Sequence, residues 1–184
     1  TFGFAVASFV ARLDDVLPRI LNAAVGLPGK LSGAVGAYNA TTLLVDDPGE
    51  LERRVLGRLG LMPAAHATQI VPAEPLTRLM MEINLAFGVI ANLADDLRNL
   101  QRTEISEVAE MFGATQVGSS TMPQKRNPWN SEHVKSLWKA FAPRVGTFFM
   151  DQISEHQRDL TNSASARFTS EYIAGFTAAV NRML

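Results

Sequence analysis

The chain of 184 residues is 47% apolar and 19% charged, a composition that can bury one substantial core and that argues against disorder. Its formal net charge of −1, with both signs interspersed, gives no basic surface for a nucleic-acid backbone and leaves small molecules as the expected ligands. The absence of cysteine excludes disulfides and thiolate metal sites, and we take the cytoplasm as the default location.

The first residues of the chain contain no initiator methionine and no basic segment ahead of an apolar one, so they do not resemble a signal peptide. We therefore expect residues 1–184 to be a single segment excerpted from a longer protein, without that protein's N-terminal and C-terminal parts. Charged residues interrupt each long apolar stretch before it reaches the ~20 residues that cross a bilayer, so no membrane span is expected.

Residues 4–24 carry apolar side chains at spacings of three and four, which predicts an amphipathic helix bent near Pro18. The glycine-rich stretch 26–39 predicts a loop, because glycine permits tight turns and close backbone approaches. A short helix is predicted over residues 48–59, where a proline suits the first turn and acidic residues favour the positive end of the helix.

The clearest periodicity lies in residues 76–100, whose apolar residues alternate steps of four and three: Leu79, Ile83, Ala86, Ile90, Leu93, Leu97 and Leu100. Apolar residues on the other faces indicate a helix surrounded by partners, including partners beyond this chain. Further helices are predicted from residue 129 to about 153 and from about 165 to 184, and no strand is predicted. The expected fold class is all-α, a bundle of long helices.

Between two of these helices, residues 118–128 read GSSTMPQKRNP and concentrate hydroxyls, a cation and an amide. A polar loop of this kind usually does no more than contact solvent, and that interpretation stays open. The same groups also suit proton abstraction next to a carboxylate, because the doubly charged intermediate needs a base and preorganised donors. A serine base would need nearby positive charge and exclusion of water, since its hydroxyl ionises far above neutral pH.

The eleven residues 118–128 resemble the fingerprint of the fumarase/aspartase superfamily, whose members cleave C–N or C–O bonds and release fumarate or a similar product. The resemblance implies that Ser119 is the catalytic base and that the chain is the central helical domain of such an enzyme. It assigns charge stabilisation and substrate binding to further residues of the loop: Ser120, Met122, Lys125 and Asn127. It also implies homotetramers in which three subunits contribute to each active site.

Glu132 falls where the superfamily places a carboxylate that pairs with an active-site histidine, so the resemblance makes it a catalytic residue. A second interpretation remains, because an acidic residue in the first turn of a helix is favourable whatever its function. The histidines of the chain, His66, His133 and His156, do not lie in the superfamily's histidine motifs, and their spacing gives no helical metal pair. We expect the proton donor to come from a part of the protein outside residues 1–184, and we expect no metal site.

Residues 158–167 resemble the phosphate-binding pattern of the adenylosuccinate lyase family, in which Arg158, Ser163 and Arg167 would bind the nucleotide phosphate. Two guanidinium groups and a hydroxyl can hold a phosphate through charge-assisted hydrogen bonds, although such arginines more often form surface ion pairs. Likeness extends to residues 29–36, 68–70 and 100–108, and Gln69 takes a substrate-amide position or simply belongs to a turn.

The family resemblance implies cleavage of adenylosuccinate, and of the succinyl-aminoimidazole-carboxamide ribotide of purine synthesis, to release fumarate without a cofactor. The sequence departs from the family pattern at Ala37, Gln124 and Asn162, which leaves the subfamily open. The alternatives are a related enzyme, such as argininosuccinate lyase or carboxymuconate cycloisomerase, and a noncatalytic helical scaffold.

Overall fold

The structure is a computed structural model and describes residues 1–113, 115–154 and 161–184. Within these ranges the helices are α1 (Phe2–Val25), α2 (Pro48–Arg58), α3 (Glu74–Leu100), α4 (Trp129–Phe141), α5 (Val145–Met150) and α6 (Phe168–Met183). Short 3₁₀ turns cover Thr41–Leu43, Ala142–Arg144 and Ser165–Arg167. The predicted all-α class is confirmed. The expectation of no strand is wrong in one detail, since β1 (Pro28–Gly29) pairs in parallel with β2 (Met62–Pro63).

The first two predicted helices form close to their expected bounds. Helix α1 continues through Pro18 as one element. Helix α2 starts as its sequence predicts: the Oδ1 atom of Asp47 accepts a hydrogen bond from the backbone N–H of Glu50 at 2.8 Å, and Pro48 occupies the first turn. The loop between these helices is also as predicted, apart from the two residues of β1.

Helix α3 is the core of the bundle and packs against α1, α4, α5 and α6. Its buried residues occupy more than one face, as the sequence predicts: Thr77, Leu79, Met80, Ile83, Ala86, Phe87, Val89, Ile90, Ala91 and Ala94. Length and mean hydropathy alone would allow α3 to cross a membrane. Its packing against four other helices accounts for the same apolar composition.

The helix predicted from residue 129 to about 153 is broken, which corrects the expectation from apolar periodicity. Helix α4 ends at Phe141, a 3₁₀ turn follows, and α5 begins at Val145. Pro143 explains the break, because it has no N–H to donate and its ring clashes with the preceding turn of a helix. At the same point α6 approaches α4 closely: a methyl group on Gly175 would lie 2.6 Å from the ring of Phe141.

The bundle has two ends, which we define by the direction of α3. At the proximal end, the Thr77 hydroxyl in the first turns of α3 donates to the carbonyl of Phe148 in α5 at 2.8 Å. At the distal end, Lys135 of α4 forms an ion pair with Asp95 near the end of α3 at 2.6 Å. Helix α3 has 27 residues, so about 40 Å separates the two ends.

Candidate active site

The serine loop, which we define as residues 115–128, lies at the distal end and leads directly into α4. Its backbone folds back on itself and brings residue 118 against residue 125. A methyl group added to Gly118 would lie only 1.8 Å from the carbonyl oxygen of Lys125. No side chain fits at position 118 without moving that backbone. Glycine here therefore allows residues 118 and 125 to meet and gives the loop a closed tip that contains Ser119.

Within this tip, backbone amides surround the hydroxyl of Ser119. Its Oγ accepts hydrogen bonds from the N–H groups of Thr121, at 3.3 Å, and Met122, at 3.2 Å. The Thr121 hydroxyl lies 3.3 Å away, and the N–H of Lys125 donates to the Met122 carbonyl at 3.0 Å. Converging N–H groups favour negative charge on an oxygen, and this turn directs two of them at the Ser119 hydroxyl.

A cavity of about 280 Å³ adjoins the serine loop and contains two more of the predicted residues, Asn127 and Glu132. Arginines from three nearby segments line the same cavity: Arg98, Arg102 and Arg126. Glu132 is exposed in the first turn of α4, where the sequence places it. A cavity with several guanidinium groups and an amide suits a carboxylate ligand.

Glu110 holds the serine loop at its base, and sequence reasoning missed it. The Oε1 atom of Glu110 accepts from the backbone N–H of Ser131 at 2.8 Å and from the Ser131 hydroxyl at 2.7 Å, while Oε2 accepts from the N–H of Asn130 at 3.0 Å. The N–H of Glu110 donates to the side chain of Gln101, directly after α3, at 2.7 Å. Glu110 therefore connects the end of α3 to the start of α4.

Gln69 lies at the proximal end, in a loop that Lys30 attaches to the glycine-rich loop 30–39. The ammonium group of Lys30 donates to the carbonyls of Thr68, at 2.6 Å, and Gln69, at 2.9 Å. A methyl group on Gly36, whose φ is +77°, would lie 1.9 Å from the carbonyl oxygen of Ala67. Glycine at position 36 thus lets the two loops touch, and Gln69 lines a cleft of about 480 Å³ between them.

The carboxylate of Glu52 is buried beneath the glycine-rich loop and is a second residue that sequence reasoning missed. It accepts hydrogen bonds from the backbone N–H of Leu31 and from the hydroxyl of Tyr38. The hydrogen bond to Glu52 raises the pKa of Tyr38 above its ordinary value. Tyr38 has a φ of 55°, so this contact holds a residue in a conformation that a bulky side chain rarely adopts.

Two of the predicted phosphate-binding residues, Ser163 and Arg167, also belong to the proximal end. Ser163 and Arg167 are exposed, and Arg158 lies outside the described residues. The segment that contains them is joined to the end of α5, because the Ser165 hydroxyl donates to the Asp151 carboxylate at 2.5 Å. Asp151 lines a cavity of about 260 Å³ together with residues on either side of Gln69.

The structure therefore separates the predicted site into two groups. The group at the distal end consists of Ser119, Ser120, Met122, Lys125, Asn127 and Glu132. The group at the proximal end consists of Gln69, Ser163 and Arg167. Since α3 alone is about 40 Å long, one copy of the chain does not bring the two groups into one site.

The two histidines within the described ranges are on different ends of the bundle. His66 lines the proximal cavity next to Asp151, and His133 packs against Trp129 with ring centroids 6.1 Å apart and its Nδ1 atom buried without a hydrogen-bond partner. His156 lies outside the described residues. Among the described residues, no group of three or more histidine or acidic side chains could hold a metal ion.

Comparison with known proteins adds independent information. The profile of a family described as Lyase matches residues 1–141. The chain is similar to the adenylosuccinate lyase of Pyrococcus abyssi, 39% identical over 158 residues that cover 86% of this chain and 33% of that protein. It is 41% identical to the adenylosuccinate lyase of Pyrococcus horikoshii over 169 residues, 91% of this chain and 37% of that protein. The adenylosuccinate lyase of Archaeoglobus fulgidus is 35% identical over 176 residues, 92% of this chain and 38% of that protein. The chain thus spans little more than a third of the length of these relatives.

Proposed function

The chain belongs to the lyase family, the helical fumarase/aspartase superfamily, and from this premise we propose that it is the central part of an enzyme that cleaves adenylosuccinate to AMP and fumarate. The proposal extends to the analogous cleavage of the succinyl-aminoimidazole-carboxamide ribotide, as steps of purine nucleotide synthesis in the cytoplasm. The similarity to adenylosuccinate lyases over about 90% of the chain supports this choice of substrate.

One structural observation carries the proposed chemistry: two backbone N–H groups converge on the Oγ atom of Ser119 beside an arginine-lined cavity. In the proposed reaction the Ser119 alkoxide takes the Cβ proton of the succinyl group. The electron pair of the broken C–H bond is first held by the adjacent carboxylate in a doubly charged intermediate, and it then forms the C–C double bond of fumarate as the C–N bond breaks. Lys125 and Asn127 stabilise the doubly charged intermediate. The leaving nitrogen receives a proton from a histidine in a part of the protein outside residues 1–184, oriented by Glu132.

The separation of the two residue groups supports an active site shared between copies of the chain. We propose that the distal end of one copy meets the proximal end of another, so that Ser119 of the first faces the nucleotide bound by the second. Gln69, Arg158, Ser163 and Arg167 would supply the nucleotide contacts. The closed oligomer we propose is a homotetramer.

Exposed apolar surface on the two longest helices supports this assembly. Phe4 and Leu21 of α1 are 79% and 64% exposed, and Leu85 of α3 is 56% exposed. A groove of about 820 Å³ runs between the same two helices. Leu85 lines this groove, whose walls also carry charged side chains, and large apolar side chains exposed on a helix favour association with another helix. Light scattering on the 184-residue chain should show an oligomer, and a stable monomer would contradict the proposed packing.

Substrate profiling of the complete protein tests the proposed reaction. Fumarate release should be observed with adenylosuccinate and with the ribotide, and an Ser119→Ala variant prepared in the same way is the matched control. Preference for argininosuccinate, or cycloisomerase activity on carboxymuconate, would replace the proposed substrate. Absence of turnover with all of these compounds would favour a noncatalytic helical scaffold.

A further inference from the structure

We propose that Glu110 is the positioning residue of the serine loop: its carboxylate binds the start of α4, its backbone N–H binds Gln101 directly after α3, and together these contacts set where Ser119 lies. The inference concerns the loop that the proposed function makes catalytic, and its kinetic part rests on that function. Its structural part concerns the contacts of Glu110 alone and can be tested without activity.

The hydrogen bonds at the start of α4 show how much depends on this carboxylate. A helix begins with backbone N–H groups that have no partner inside the helix. At α4 the N–H of Trp129 donates to the carbonyl of Asn127, and that of Glu132 donates to the carbonyl of Pro128. Pro128, the residue before the helix, has no side-chain oxygen that could cap it. The two remaining N–H groups are those of Asn130 and Ser131, which Glu110 binds.

These contacts hold the two ends of the segment between residues 110 and 130 close together. Glu110 accepts hydrogen bonds at the far end of the segment through its side chain and is itself held to Gln101 through its backbone N–H. Ser131 is buried, so its hydroxyl and N–H have no water to replace the lost acceptor if Glu110 is removed. Loss of this contact should therefore destabilise the backbone at both ends of the segment that contains the serine loop.

The rest of the serine loop has few other attachments that could take over. Thr121, Met122 and Lys125 are exposed, and the hydrogen bonds of the tip connect loop residues to one another. Arg126 stacks on Phe112, which belongs to the same segment. Among the described residues, the Glu110 carboxylate thus joins the base of this segment to the start of α4. The hydrogen bond from the Glu110 N–H to the Gln101 side chain joins it to the end of α3.

The electrostatics favour a carboxylate over any neutral side chain at this position. The start of a helix carries partial positive charge, and a negative group next to it is stabilised. An amide of the same shape keeps one oxygen but turns an NH₂ group toward an N–H donor. Glu110→Gln therefore removes the charge and replaces one acceptor by a repelling donor, while leaving the volume of the side chain almost unchanged.

The test compares Glu110→Gln with a matched control in the complete protein. Tyr172→Phe removes a hydrogen bond from the core, where the Tyr172 hydroxyl of α6 donates to Asn84 of α3 at 2.7 Å, and neither residue belongs to the serine loop or to a predicted binding group. Both variants should lower the melting temperature. Only Glu110→Gln should lower kcat, by about tenfold to a hundredfold with KM changed much less, because a small displacement of a catalytic group weakens transition-state stabilisation most.

Hydrogen exchange measured by mass spectrometry gives the second readout, which does not depend on turnover. Peptides covering residues 115–133 should exchange faster in Glu110→Gln and at the wild-type rate in Tyr172→Phe. Glu110→Asp keeps the charge but is one methylene shorter, so it should change both readouts in the same direction and less. If Glu110→Gln does not fold, Glu110→Asp takes its place in both measurements.

Two results would overturn the proposal. One is unchanged exchange of the 115–133 peptides in the Glu110 variants; the other is an equal loss of kcat in Tyr172→Phe, which would mean that general stability sets the rate. If the wild-type protein shows no lyase turnover, the proposed function fails while the exchange measurement still decides the role of Glu110.

Discussion

The two ends of the bundle hold different parts of the candidate site and are built differently. At the distal end, the predicted residues lie in one loop and in the first turn of the helix that follows it, and Glu110 holds the base of that loop. At the proximal end, the predicted residues come from segments far apart in sequence, and buried polar contacts such as Lys30 to the 68–69 carbonyls join those segments. The distal end suits a catalytic group that must move and close, and the proximal end suits a preformed binding surface.

The largest expected effect belongs to the distal end. In the complete protein, Ser119→Ala should lower kcat by at least about a hundredfold while changing KM little, because the hydroxyl acts on the transition state more than on bound substrate. Thr121→Val is a useful control, since it removes a hydroxyl 3.3 Å from Ser119 but leaves the two amides in place. Steady-state fumarate release checks the prediction, and near-normal turnover of Ser119→Ala would remove Ser119 from the mechanism.

At the proximal end the expected effect is on binding. Arg167→Ala should weaken AMP inhibition by about 1.5–3 kcal/mol, the scale of hydrogen bonds to a charged group, with a smaller change in kcat. Arg58→Ala, which removes an arginine from the exposed end of α2, controls for loss of surface charge. An inhibition constant for AMP that does not differ between Arg167→Ala and the control would contradict the phosphate assignment.

The smallest expected effect concerns the core of the bundle, between its proximal and distal ends. Tyr172 of α6 is buried, and its hydroxyl donates to Asn84 of α3 at 2.7 Å. Tyr172→Phe should lower the free energy of unfolding by about 1 kcal/mol at neutral pH through loss of this hydrogen bond. Kinetic constants should stay close to those of the wild type, which urea denaturation and steady-state assays can check together.

The same tyrosine predicts a pH dependence with a defined sign. Burial raises the pKa of Tyr172 to about 12, above the value of about 10 expected in the unfolded chain. The unfolded state therefore loses this proton first, and stability should fall as pH rises from 10 toward 12. Tyr172→Phe should reduce that slope, and Tyr38, whose pKa is also raised, should account for part of what remains. Parallel denaturation curves for both proteins above pH 10 would contradict the assignment.

The sequence predicts the helices well because their signals are local. Apolar spacing indicates α1 and α3, and Pro48 with the acidic residues that follow it indicates the start of α2. The break after α4 was missed because a 3₁₀ turn keeps apolar side chains on nearly the same face, so the periodicity continues across Pro143.

For the candidate site, too, local contacts could be predicted from the sequence and long-range contacts could not. The serine-loop residues lie together because they are neighbours in sequence. The distance from Ser119 to Gln69 depends on how α3 and α4 pack, which no spacing in the sequence encodes. Glu52 and Glu110 were missed for a related reason: each binds backbone N–H groups about twenty residues away, and an acidic residue in a polar stretch ordinarily indicates only a solvated surface.

The central claim is that Ser119 and Arg167 act in one site although they lie at opposite ends of each copy. Co-expression of the complete Ser119→Ala and Arg167→Ala proteins tests it directly. If each site takes Ser119 from one copy and Arg167 from another, random mixing should leave about a quarter of the sites with both native residues. Measured at a substrate concentration too low to fill sites that lack Arg167, the mixture should then show about a quarter of the wild-type turnover. If both residues of a site came from the same copy, every site would carry one substitution, and the mixture would be no more active than the average of the two variants.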